Sequence, residues 1–145
     1  MHCVDVNVLV YAHRSESERH TEYLDWLEAA RDSDQALGIS DLVLSGFVRI
    51  VTHPRVFVDP TPVADALRFT NLLRTSPSAV PLQPGSRHWS IFERLCTTVG
   101  ARGNVVPDAY LAAMAMESGA RWCTADRGFT RFPGLTVEHP LDPES

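Results

Sequence analysis

The sequence predicts a parallel α/β sheet with helices on both faces, and three observations carry that expectation. Short apolar runs of strand length alternate with longer segments of helical periodicity. No repeat, low-complexity tract or long linker interrupts them, so a single domain over residues 1–145 is expected. Two of the apolar runs lead into an aspartate, Asp5 and Asp126, and Asp108 heads a long apolar helix. The carboxyl ends of parallel strands are where open sheets gather ligands and catalytic groups.

Residues 2–6 read as a buried strand, and Asn7 to His13 continues apolar at helical spacing. Ser15-Glu16-Ser17-Glu18 has the form of a capping box opening a helix through about Arg31, with Tyr23, Leu24, Leu27 and Ala30 on one face. Gln35 to Ile39 is a second strand, after which Ser40-Asp41 caps a helix through Val51. The turn at His53-Pro54 stops it, and Thr61-Pro62 starts another with proline in the first turn. Ala79 to Leu82 is a strand, Ser86 to Val99 a helix, and Gly100 to Asn104 a flexible loop. Pro107 to Ser118 is the most regular helix, followed by strands at Arg121–Thr124 and Leu135–Val137.

Composition narrows the function. The chain carries a formal net charge of −5, an argument against a nucleic-acid partner that weakens if an acidic pocket holds a metal. All 13 basic residues are arginine, which excludes mechanisms that need a lysine, among them the Walker P-loop. Cys3, Cys96 and Cys123 form no C-x-x-C, so their spacing indicates neither a zinc site nor a disulfide framework. No apolar stretch reaches the ~20 residues of a membrane helix, and the N-terminus lacks a basic n-region, so a cytoplasmic location is expected. Crowded carboxylates persist as anions when a cation neutralises them, and hard oxygen donors suit Mg²⁺ or Mn²⁺. The acids therefore point to a metal-assisted phosphodiesterase.

The order of motifs resembles the PIN-domain ribonucleases, and within them the VapC-type toxins of toxin–antitoxin pairs. Val4-Asp5-Val6-Asn7-Val8-Leu9 is similar to the first family motif, and Pro107-Asp108-Ala109-Tyr110-Leu111-Ala112-Ala113 to the third. Thr124-Ala125-Asp126-Arg127-Gly128-Phe129 is similar to the fourth. The resemblance implies a PIN-like three-layer α/β/α fold around a mostly parallel sheet of about four to five strands. It also implies a Mg²⁺- or Mn²⁺-dependent endoribonuclease, a VapB-type antitoxin, an RNA substrate and a homodimer. Asp5, Asp108 and Asp126 are the expected metal-holding catalytic residues, with Asn7, Thr124 and Arg49 in support. One motif departs. The family usually carries a glutamate three residues before the helix arginine, and here Gly46 stands there. Asp41 lies five residues away, about 140° round the helix, and does not substitute.

Bland roles stand beside these. Asp108 suits the helix dipole, Asp126 a turn before Gly128, Asn7 a helix cap, Thr124 a strand position, and Arg49 a surface ion pair. Tyr11, Tyr23, Trp26 and Leu27 suit either an antitoxin groove or the core. Arg102 in the 100–104 loop suits an RNA phosphate or plain solvation. His13, His53 and His88 share no metal-ligand spacing and read as surface or loop residues. Gly46 motivates the rival reading, a catalytically silent PIN module that binds RNA or antitoxin without cutting.

Overall fold

Five parallel strands run in the order β3-β2-β1-β4-β5 in a computed structural model that describes residues 1–142. They are β1 (His2–Val4), β2 (Leu37–Ser40), β3 (Ala79–Leu82), β4 (Arg121–Cys123) and β5 (Val137–Glu138). Six helices intervene: α1 (Val6–His13), α2 (His20–Asp32), α3 (Asp41–Val51), α4 (Val63–Arg74), α5 (His88–Val99) and α6 (Val105–Ser118). A 3-10 turn, Arg127–Arg131, links β4 to β5. The expected sheet is realised with every ladder parallel.

Neighbouring residues of one strand face opposite sides of a sheet. Cys3 and Val4 of β1 are both buried, as are Trp122 and Cys123 of β4, so helices cover both faces. All four residues of β2 are buried as well. α6 lays Ala109, Ala112, Ala113, Met114 and Ala115 into the core, and small side chains allow its close approach. α3 contributes Val43, Leu44, Phe47 and Val51. Pro81 sits in β3, an edge strand, where a missing amide donor costs no ladder bond on the open side.

The winding positions the site. The chain passes outward from β1 to β2 to β3, then crosses back to β4 and β5. The segments leaving β1 and β4 therefore diverge at their carboxyl ends, the switch point where doubly wound sheets open a crevice. Asp5 and Asp126 follow those two strands.

Some expected boundaries shift. The helix expected to open at Ser15 begins at His20, and its N-cap Arg19 is left-handed (φ 58°) with no side-chain capping bond. Tertiary contacts outcompete the capping box. Arg14 pairs with Glu16 at 2.6 Å, donates to Thr61 and stacks over Phe57, holding residues 14–16 in a turn. The first strand ends at Val4 rather than residue 6, because Asp5 already caps α1. Among the described residues, no helix is long and apolar enough to cross a membrane.

Candidate active site

Asp5 leaves β1 extended (φ −75°, ψ 158°), and its Oδ1 accepts from the Val6 amide at 2.7 Å. Its Oδ2 accepts from the Thr124 hydroxyl at 2.7 Å and from Asn7 Nδ2 at 3.4 Å. A carboxylate offers about four lone-pair sites, so roughly one remains free to face the crevice. Thr124 is buried, and its oxygen accepts in turn from the Asp126 amide at 2.9 Å and from Asn7 Nδ2 at 3.2 Å. Asn7 Oδ1 takes the Ala125 amide at 3.2 Å. These bonds lock the β1–α1 junction to the turn after β4. Asn7 is thus not the cap of α1; Asp5 is.

Asp126 is exposed and uses Oδ1 to accept from Gly128 N at 2.8 Å, capping the 3-10 turn. A Cβ on Gly128 would meet Arg131 Nη2 at 2.8 Å and Asp126 Oδ1 at 2.9 Å, so a side chain there would push those two groups aside. Asp108 is half-buried in the first turn of α6. Its carboxyl is pushed up by burial and by Asp126, with Arg131 opposing. Arg131 is the site residue that sequence reasoning missed. The one local signal for it was the glycine that makes room for its guanidinium.

Burial raises the Asp5 carboxyl to about 6, and Asp108 and Asp126 add to the rise while the Thr124 and Val6 bonds oppose it. The three acids are therefore near enough to repel. Their donor set is all oxygen, and Arg131 opposes the rise only at Asp108, which fits a hard divalent cation. The trio of donors within 4.8 Å of one another among the described residues lies elsewhere, at His2, Cys123 and Glu138. The wider aspartates suit a cation that shares its shell with water and phosphate oxygens.

The Asp5 shift has a sign. Between pH ~4 and ~6 the folded chain holds a proton that the unfolded chain has released. In EDTA, stability is expected to fall as pH rises through that window, by at most about 3 kcal/mol, and to level off above it. Urea denaturation at stepped pH measures this; stability rising across the window would refute it. Thr124→Val removes a hydroxyl whose donor and both acceptor sites are engaged. It is expected to weaken divalent-cation binding about 10- to 100-fold, read by calorimetry, as loss of a ligand-orienting group does. Unchanged affinity would make Thr124 a strand filler.

Other expected residues lie apart. Arg49 is exposed on α3, and its guanidinium makes no hydrogen bond or ion pair among the described residues. Asp41 faces Arg74 at 3.4 Å. Gly46 does face the site: a Cβ there would lie 3.3 Å from Val6 Cγ2, beside the residue that follows Asp5. Tyr23 and Leu27 are buried, so they cannot line a groove; Tyr11 packs on Tyr23 with ring centroids 5.1 Å apart. His88 is buried with Nε2 2.9 Å from the Tyr110 carbonyl, and half-buried His13 packs edge-on against the stacked pair Phe47 and Phe69, so neither is a free surface histidine. Arg102 is exposed in its loop.

A family model described as PIN domain matches residues 2–135. Ribonuclease VapC43 of Mycobacterium tuberculosis is 50% identical over 142 residues, covering 98% of this chain and 97% of that protein. Ribonuclease VapC25 of the same species is 36% identical over 140 residues, covering 97% and 99%. Among solved structures, VapBC2 from Rickettsia felis bound to a DNA fragment from its promoter aligns with a TM-score of 0.69 at 18% identity. That alignment covers 94% of this chain and 96% of that one.

Proposed function

Since the chain belongs to the PIN-domain family, we propose that it is an endoribonuclease toxin that hydrolyses RNA phosphodiesters with Mg²⁺ or Mn²⁺ held by Asp5, Asp108 and Asp126. The observation that carries this reading is the buried Asp5 carboxylate, held by Thr124 and Asn7 against two further acids. Structural burial of a carboxylate beside like charges costs stability unless a cation repays it. The two relatives named as ribonucleases, each covered almost end to end, support the RNA substrate.

When bound, a divalent cation supplies Lewis-acid chemistry: it offsets charge building on a phosphate and makes nearby water more acidic. The chain's own part is positioning. Thr124 and Asn7 fix the Asp5 carboxylate so that its free lone pair points one way. The 3-10 turn holds Asp126 and brings Arg131 near Asp108, where the guanidinium offsets part of the repulsion among the acids. Arg49 and Arg102, both exposed, are the candidate arginines for bidentate contact with RNA phosphates.

A VapB-type antitoxin and a second copy of the chain are the proposed partners, in a single-domain cytoplasmic protein. Solved relatives of the same fold include a VapBC assembly, which supports the antitoxin. An apolar hollow of about 340 Å³ beside the site, lined by Val6, Leu42, Phe92, Pro107 and Tyr110, gives a partner a surface to bury. A native mass spectrum showing monomer alone at micromolar concentration would count against the homodimer.

Gly46 favours a second reading, a PIN module that binds RNA or antitoxin without cutting. Digestion of total RNA by the purified protein, with Mg²⁺, Mn²⁺ or EDTA and an Asp126→Asn control, separates the two. Discrete metal-dependent fragments absent from the control support the nuclease, and intact RNA throughout supports the silent module. Gly46→Glu tests the same gap. It sets a fourth carboxylate toward Val6 and replaces a mid-helix glycine that costs about 0.5–1 kcal/mol. Divalent affinity measured by calorimetry is expected to rise about tenfold, as an added charged ligand warrants. An unchanged affinity would mean the side chain turns away from the pocket.

A further inference from the structure

We propose that His2, Cys123 and Glu138 form a second metal centre, for Zn²⁺ or a cation of similar softness, which clamps the edge strand β5 to the middle of the sheet. The register builds it. Cys123 pairs with Glu138 across the β4–β5 ladder, and His2 pairs with Arg121, two residues before Cys123. Paired residues and those two apart share a face, so all three side chains project from the same side of the sheet. One donor atom from each lies within 4.8 Å of the other two.

Two further observations point to a ligand. Glu138 Oε2 is buried without a hydrogen bond; His2 Nε2 at 3.4 Å and Arg121 Nη1 at 3.6 Å stand at ion-pair range only. The donors are one imidazole, one thiol and one carboxylate. That mixture suits Zn²⁺ over Mg²⁺ and leaves a fourth position for water. Tetrahedral zinc draws its ligands closer than 4.8 Å, and His2 and Glu138, 24% and 16% exposed, have room to close in. Cys123 and Glu138 as anions balance the ion's two charges. Positive groups face the cluster too: Arg121, 61% exposed and free to swing outward, and the α-amino group of Met1.

The Cys123 thiol is held protonated, pushed up by burial and then by Glu138. Capture of the ion therefore releases about one proton per site as the Cys123 S–H bond breaks and a sulfur–metal bond forms. The three ligands come from three strands 15 to over 100 positions apart, so no spacing motif announces them. The centre does not depend on the aspartates cutting RNA.

The test uses untagged, EDTA-stripped protein in excess Mg²⁺, which occupies the hard oxygen site. Zn²⁺ at a hundred times its Kd is expected to raise the melting midpoint by about 5–10 °C. Co²⁺ is expected to produce a near-ultraviolet thiolate charge-transfer band. Both effects should vanish in Cys123→Ser and fall at least about tenfold in affinity in Glu138→Gln, a variant that keeps the buried shape. No band, or a band and stabilisation that survive Cys123→Ser, overturns the proposal. A Cys123→Ser chain too unstable to assay leaves Glu138→Gln to decide: wild-type zinc affinity there also overturns it.

Discussion

Asp5→Asn is expected to lower RNA cleavage by about a thousandfold, roughly 4 kcal/mol of lost transition-state stabilisation. The same substitution should leave the EDTA-treated protein within about 1 kcal/mol of wild type. Asparagine keeps the Oδ1 acceptor for the Val6 amide, so the cap of α1 survives. The other atom becomes a donor facing Thr124, whose oxygen already accepts from Asp126 and Asn7, a modest loss. Set against it is the removal of a charge that burial and two neighbouring acids disfavour. Loss of activity without loss of fold is what a metal-holding carboxylate predicts, whereas a purely capping aspartate predicts that both survive. Stability with and without Mg²⁺ sharpens the contrast. Wild type should gain from the cation above pH ~6, where Asp5 is ionised, and the variant should gain far less. Cleavage by the variant within tenfold of wild type would end the assignment of Asp5.

How much of this was readable in the sequence depends on how local each cause is. The α6 helix was legible because Pro107, the alanine-rich face and Gly119 all act within a few residues of one another. The parallel sheet was legible because strand-length apolar runs alternate with helices. Asp5, Asp108 and Asp126 were singled out because each sits beside an element boundary that pattern alone reveals. What holds them together was visible only in part: Asn7 and Thr124 were expected in support, and Arg131 was not. Thr124 reaches Asp5 across 119 positions, and Arg131 is held by the Gly128 carbonyl inside the 3-10 turn. The Ser15–Glu18 capping box misled, since Arg14 is claimed by Glu16, Thr61 and Phe57 instead. His88 read as a surface residue because a local pattern does not show that the Tyr110 carbonyl is its partner. Local signals singled out the acids, and tertiary bonds through Thr124 tie Asp5 to the turn that carries Asp126.

Those bonds rest on β4, and the second large effect is expected at its centre. Trp122 is fully buried and packs against Phe129 with ring centroids 5.4 Å apart. Trp122→Ala is expected to cost about 3–5 kcal/mol, the usual toll of emptying an aromatic site. Trp122→Phe should cost far less than the ring volume suggests. The indole Nε1–H has no acceptor among the described residues, and an unmade buried hydrogen bond costs about 1–3 kcal/mol. Phenylalanine removes that donor while keeping most of the apolar contact, so the two changes offset to within about 1.5 kcal/mol. Urea midpoints in EDTA, at unchanged m-value, measure both variants. Function should divide the same way. The phenylalanine chain keeps Thr124 and Asp126 in register and cuts RNA, whereas the alanine chain loosens β4 and loses divalent affinity along with stability. If Trp122→Phe proves as costly as Trp122→Ala, the indole has a partner in solution. The strand end that carries the candidate site is then held by one hydrogen bond more than the structure shows.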